Sequence, residues 1–189
     1  MGLGNAKIYG GVGGILSLIG PLAGSFGLIL SIAGLVLVFL AVKTISDETG
    51  DERIFSLFLK AFISMVAGLI IFIIVIIATV GSFAFGMIGK GMMSPGNLMA
   101  VIGSILVGFL ILWITYIIGT YFQKKSFELI AEYTGVNLFK TTGLVYFIGA
   151  ILIIIGVGFL IILVGAILEI VSFFSLPEEA KKLETPVSP

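Results

Sequence analysis

Four stretches of the chain carry no charge: residues 8–42, 61–89, 91–123 and 141–168, separated by short polar segments. A helix needs about 20 apolar residues to cross a hydrocarbon core of about 30 Å. The segment AFISMVAGLIIFIIVIIATV (residues 61–80) meets that length as one span, and its helix is expected to begin earlier, near Ile54, with Lys60 snorkelling toward the interface. Residues 98–122 form the second clear span. It is bounded by the breaker-rich GKGMMSPGN before it and by Gln123, Lys124 and Lys125 after it, with Tyr116 and Tyr121 near that end as an aromatic belt.

The outer two blocks fit a single span less well. A continuous helix over residues 8–42 would be roughly 52 Å long, too much for one crossing even when tilted. Pro21, beside Gly20 and followed by Gly24, divides it into arms near residues 3–20 and 22–44. The first arm, about 18 residues, either crosses or stops part-way as a re-entrant arm. The last block, about 28 residues, is either one tilted helix or two short arms meeting at Gly156-Val157-Gly158. Basic residues decide between these, because cytoplasmic loops collect Lys and Arg. With both blocks folded back, every Lys and Arg except Lys90 falls on one face; with each block a single span, they divide almost evenly.

The pattern predicts an all-α integral membrane protein of about six apolar helical segments, with the first and last blocks folded as helical hairpins, spanning or re-entrant. Residues 1–176 form one transmembrane helical domain, and 177–189 a polar, flexible cytoplasmic tail. The N- and C-termini are expected in the cytoplasm with the connections 43–53 and 123–140, and residues 81–97 outside. Lys7 with the long apolar run behind it does not make a signal peptide, so the mature chain is expected to start near Met1.

Composition narrows the chemistry. With 59% hydrophobic and 11% charged residues, the solvent for this chain is lipid, so the bilayer is its first partner and the cell membrane its location. Net charge is zero and no basic stripe is present, which speaks against nucleic acid. Cysteine and histidine are both absent, removing thiolate nucleophiles, the usual zinc, haem and copper ligands and the commonest general base. No cofactor and no enzyme activity are expected.

The remaining candidates are few. Glu169 is the one acid within a strongly apolar segment, and an intramembrane carboxylate is a functional hypothesis by default. Its closeness to Pro177 favours an interfacial acid, solvated or paired with Lys140 or Lys60, over a proton or cation site. Glu169 and Lys60 are the two intramembrane polar candidates. Gly13, Gly20, Gly27 and Gly34 recur every seventh residue and would let the two arms of the first hairpin pack closely, or else line an oligomer seam or pore. SDETGDER (46–53) lacks EF-hand spacing and reads as a helix turn, Gly50 ending one helix and Asp51 and Glu52 starting the next. The amphipathic KKSFELIAEYTGVNLF (124–139) reads as a short helix on the membrane surface or a docking face for a partner. Met92 and Met93 are a weak copper(I) pair, and Trp113 a packing residue. GGILSLIG (13–20) is similar to GAILIIIG (149–156), a match that a duplication or shared apolar composition explains.

GGVGGILSLIGP, GLVLVFLAVKTISDETGD, IFSLFLKAFI and VSFFSLPEE together resemble a family of small multi-pass membrane proteins found mainly in archaea, catalogued as a domain of unknown function, number nine hundred and ninety-six. The resemblance implies an integral membrane protein and an archaeal source, and it carries over no functional residue. Two roles follow as expectations: a structural or accessory protein in a membrane complex or homo-oligomer, or a small transporter or channel using the broken helices and Glu169.

Overall fold

The computed structural model describes residues 2–90 and 95–179. Among them are six α-helices and no strand: α1 (Leu3–Ile19), α2 (Gly27–Thr49), α3 (Glu52–Lys90), α4 (Pro95–Thr134), α5 (Leu138–Leu152) and α6 (Val157–Phe174). All but α1 are long and apolar enough to cross a membrane. The outward faces are apolar as well: Ile8, Leu28, Ile74, Leu106 and Leu160 are each more than half exposed. Apolar helices need a non-aqueous surrounding, and in one the backbone must satisfy its own hydrogen bonds, which is why even glycine-rich α1 is helical.

Both expected breaks occur. Pro21 lies in the first turn of a 3-10 segment (Gly20–Leu22), a second follows (Gly24–Phe26), and Gly24 adopts φ +56°. At the other hairpin Ile153–Ile155 is 3-10 and Gly156 has φ +82°, a conformation that a Cβ disfavours. Gly50 at φ 72° ends α2, and α3 starts at Glu52, as the acidic segment suggested. The first hairpin closes glycine on glycine. A Cβ placed on Gly13 would come 2.7 Å from the Gly34 carbonyl, and one on Gly27 would collide with the Gly20 carbonyl.

Each helix packs on its chain neighbours, and α6 returns to α1, so the six form a closed ring. The Leu3 N–H donates to the Glu178 carbonyl (3.0 Å) and Lys7 Nζ to the Leu176 carbonyl (3.4 Å), which brings both ends of the described chain together. At this end lies the core, with Leu3, Ile45, Ile54, Phe127, Phe139 and Phe173 fully buried. An aromatic relay crosses it helix by helix: Phe39 to Phe58 (5.0 Å between ring centroids), Phe58 to Phe127 (6.3 Å), Phe127 to Phe139 (5.5 Å) and Phe139 to Phe173 (5.1 Å). The Phe173 ring then covers Gly10 of α1, where no side chain would fit.

Two expectations need correction. Residues 124–134 are not a separate surface helix; they continue α4 without a break, and their apolar face (Phe127, Ile130, Ala131) is buried against neighbouring helices. Periodicity revealed a buried face but not what buries it. The breaker-rich GKGMMSPGN (89–97), expected as an external loop, is helical at both ends, since α3 runs to Lys90 and α4 starts at Pro95; Met92 and Met93 lie outside the described residues. Of the expected tail, 177–179 are described, with the Glu178 carbonyl held by the Leu3 N–H, and residues 180–189 lie outside the described residues.

Candidate functional site: a cavity within the helix ring

Above the aromatic floor the ring borders a half-open cavity of about 670 Å³, to which all six helices contribute. Its wall is apolar, with Val38, Phe39, Phe58, Phe62 and Met65 on one side and Leu163 and Ala166 on the other. Four polar side chains enter it: Ser17 from α1, Gln123 from α4, Tyr146 from α5 and Glu169 from α6. The Tyr146 hydroxyl donates to Glu169 Oε2 at 2.5 Å. One turn nearer the helix ends, Thr142 and Ser172 bond through their hydroxyls at 3.0 Å, so α5 and α6 are joined by a two-step polar ladder. Ser17 and Gln123 make no side-chain hydrogen bond among the described residues.

Glu169 is therefore partnered, but not by a lysine. Ion pairs among the described residues join Lys43 with Asp47, Arg53 with Asp51, and Lys124 and Lys125 with Glu128, and none of them includes Glu169. Lys60 is exposed on α3, outside the cavity wall, and Lys140 is exposed on α5. The expected Glu169–lysine pairing does not occur because both lysines point away from the ring's interior. Of the two polar candidates the structure brings Glu169 to the cavity and leaves Lys60 on the outside. A hydrogen bond to a charged group contributes about 1.5–3 kcal/mol, so one phenol offsets only part of the cost of holding a carboxylate away from water.

Sequence reasoning missed Tyr146. The signal was available in the hairpin itself: two antiparallel arms reversing at Gly156 place residues equally distant from it side by side, and Glu169 falls within a turn of Tyr146. Trp113 behaves as expected, its indole N–H donating to the Ala150 carbonyl at 2.9 Å. That carbonyl belongs to the last turn of α5, which has no intrahelical donor to offer it.

At the turn end of the ring, outside the candidate spans, Asp51 makes a second polar cluster. Its carboxylate accepts from Arg53 N–H (3.0 Å), Nε (2.9 Å) and Nη2 (2.6 Å) and from the Tyr133 hydroxyl (3.1 Å). The Arg53 guanidinium holds the Asp51 carboxyl down from 3.8 to about 2, against a smaller opposing effect of burial. Ser46 donates to the Asp51 carbonyl (2.9 Å), so the cluster ties α2, α3 and α4 together.

The family described as "Protein of unknown function (DUF996)" matches residues 30–167, well over half of the chain. The chain belongs to the DUF996 family. Similarity to a relative extends further: "Uncharacterized protein MJ1644" of Methanocaldococcus jannaschii is 38% identical over 181 residues, 96% of this chain and 97% of that protein. No solved structure matches significantly. The DUF996 match takes in Tyr146, Gln123 and most of the cavity wall and stops two residues before Glu169.

Proposed function

We propose that this DUF996 protein is a multi-pass protein of the cell membrane with a structural or accessory, non-enzymatic role, working as a homo-oligomer or within a larger membrane complex, with both termini in the cytoplasm. The side is argued from charge: the hairpin fold gathers Lys7, Lys43, Arg53, Lys60, Lys124, Lys125 and Lys140 toward the end where the chain termini meet, leaving Lys90 opposite.

The observation that carries the assembly is the depth of the two hairpin tips. Phe39 packs edge-on to Phe58 and Phe62, so the α1–α2 tip, about a dozen residues before Phe39, stands level with Phe72 to Val75 of α3. Trp113 holds Ala150, so the α5–α6 tip stands near Gly108 of α4, which faces the same Phe72 and Val75. Both tips are thus about 18–20 Å above Lys60, the last charge on α3 before its apolar run, inside a core of about 30 Å. From there α3 and α4 continue as a pair for roughly another 20–25 Å. Non-α backbone at that depth needs protein around it. Yet Leu22 is 84% exposed, Phe26 71% and Ile155 66%. A second copy seated over the tips supplies that cover.

The test is to place single cysteines at Leu22 and Ile155, in a chain that has none of its own, and treat membranes with a bifunctional maleimide. Crosslinked dimers and shielding from an impermeant maleimide are expected. Monomers that label fully from the aqueous phase would sink both the depth argument and the assembly.

A second reading, a small transporter or channel, is favoured by the cavity, which lies between two interrupted hairpins with a carboxylate in its wall. Unchanged solute flux in proteoliposomes of Glu169→Gln would remove its main residue.

A further inference from the structure

We infer that the ring cavity is a binding site for a hydrophobic organic cation, whose apolar body fills the space above the aromatic floor and whose positive end rests on Glu169. The inference rests on the transporter reading only in sharing its cavity; binding is required whether or not the ligand is moved.

Three observations converge. The volume, about 670 Å³, lies within the range of small-molecule sites and is lined by Phe39, Phe58, Phe62, Met65 and Leu163, a surface suited to a multi-ring or branched apolar body. Glu169 enters that space with one hydrogen bond, from a phenol, and no cation beside it among the described residues. A carboxylate in an apolar cavity without a counter-charge favours a ligand that brings one, and aromatic faces around it also attract cations. The wall reaches Leu22 and Ile19 at the first hairpin tip, so the rim of the cavity is apolar as well and suits a ligand that already partitions into lipid. An anionic ligand is opposed by Glu169, and a strongly hydrated metal ion would find one carboxylate, a phenol and no water-like cage.

Two ions of the same shape and opposite charge test this: tetraphenylphosphonium and tetraphenylborate. Equilibrium binding to the purified full chain in detergent or nanodiscs is expected to favour the cation at least tenfold over empty micelles or discs and over the anion. Glu169→Gln should abolish that preference, and Tyr146→Phe should retain it, because the carboxylate remains. Should Glu169→Gln fail to fold, Ala166→Leu, which narrows the cavity without touching its charge, should lower retention of the cation at least tenfold. Equal retention of both ions by the wild type, or a cation preference that survives Glu169→Gln or the narrowed cavity, would overturn the inference. Binding that persists without flux in proteoliposomes would instead reject the transporter reading and leave the site standing.

Discussion

Alanine at Gly34 is the sharpest test of how the first hairpin is held. The new Cβ would lie 2.5 Å from both the Ser17 backbone nitrogen and its hydroxyl, and 2.6 Å from the Gly13 carbonyl. Backbone atoms cannot swing aside, so α1 and α2 must separate by roughly 0.9 Å to restore ordinary contact, and a gap of 0.5–1 Å forfeits about a quarter to a half of each dispersion well along the seam. Overpacking of this kind costs about 1–3 kcal/mol, while alanine regains about 0.8–1 kcal/mol of helix propensity over glycine. With backbone atoms in the way the clash falls in the upper part of its range, about 2–3 kcal/mol, so Gly34→Ala should be destabilised by about 1–2 kcal/mol net. Gly103→Ala, on α4 with nothing within 4 Å of the new Cβ, is the matched control and should be neutral or up to about 1 kcal/mol more stable. Reversible unfolding in mixed micelles, followed by the emission of the single tryptophan, Trp113, reads both. Because Gly13→Ala forces apart the same two backbones, the Gly13/Gly34 double variant should lose less than the two single losses added. If Gly34→Ala proves as stable as Gly103→Ala, close glycine contact is not what holds the hairpin.

Other expectations are smaller. Asp51 has its carboxyl held at about 2 in the fold against 3.8, so its contribution is present above about pH 3.8 and is lost as pH falls toward 2. The upper bound is about 2.5 kcal/mol, but Arg53 is 70% exposed and screening reduces this to about 1 kcal/mol. Asp51→Asn should therefore be less stable than wild type at pH 7 and converge with it near pH 2 in thermal melts. Trp113→Phe removes the bond to the Ala150 carbonyl and should cost about 0.5–1.5 kcal/mol, read by thiol accessibility of a cysteine placed on α5. Thr142→Val and Ser172→Ala each break the same hydroxyl pair, so a double-mutant cycle by micelle unfolding should return a coupling of about 0.5–1.5 kcal/mol.

Length and punctuation made much of the fold legible. Pro21, Gly50 and Gly156 mark three of the reversals, because a proline without an N–H and glycines at positive φ are local requirements that a sequence states directly. What covers an apolar face is not local. The face of residues 124–134 looked like a membrane-surface stripe, yet Phe127 and Ile130 meet the aromatic relay and Ser126 donates to the Ile54 carbonyl at 2.8 Å. Lipid and protein are alike to a hydrophobic side chain, so periodicity alone could not separate a helix lying on a bilayer from one that runs straight on into a bundle.

The cavity shows how topology converts into chemistry once register is used. Glu169 considered alone suggests a lysine partner, since opposite charge is the usual compensation for a carboxylate away from water. Folded about Gly156, the last apolar block instead sets α6 against α5, and the polar residues on the facing stripe of α5 are Thr142 and Tyr146, one turn apart. They meet Ser172 and Glu169 in the same order, because antiparallel arms pair outward from their turn. Lys60 on α3 and Lys140 on α5 are both exposed on the outside of the ring, which is why neither reaches the carboxylate. The charge pattern that argued for two hairpins therefore also argues against a lysine inside the ring, and it leaves the Glu169 carboxylate in the cavity wall with a phenol as its only hydrogen-bond partner among the described residues.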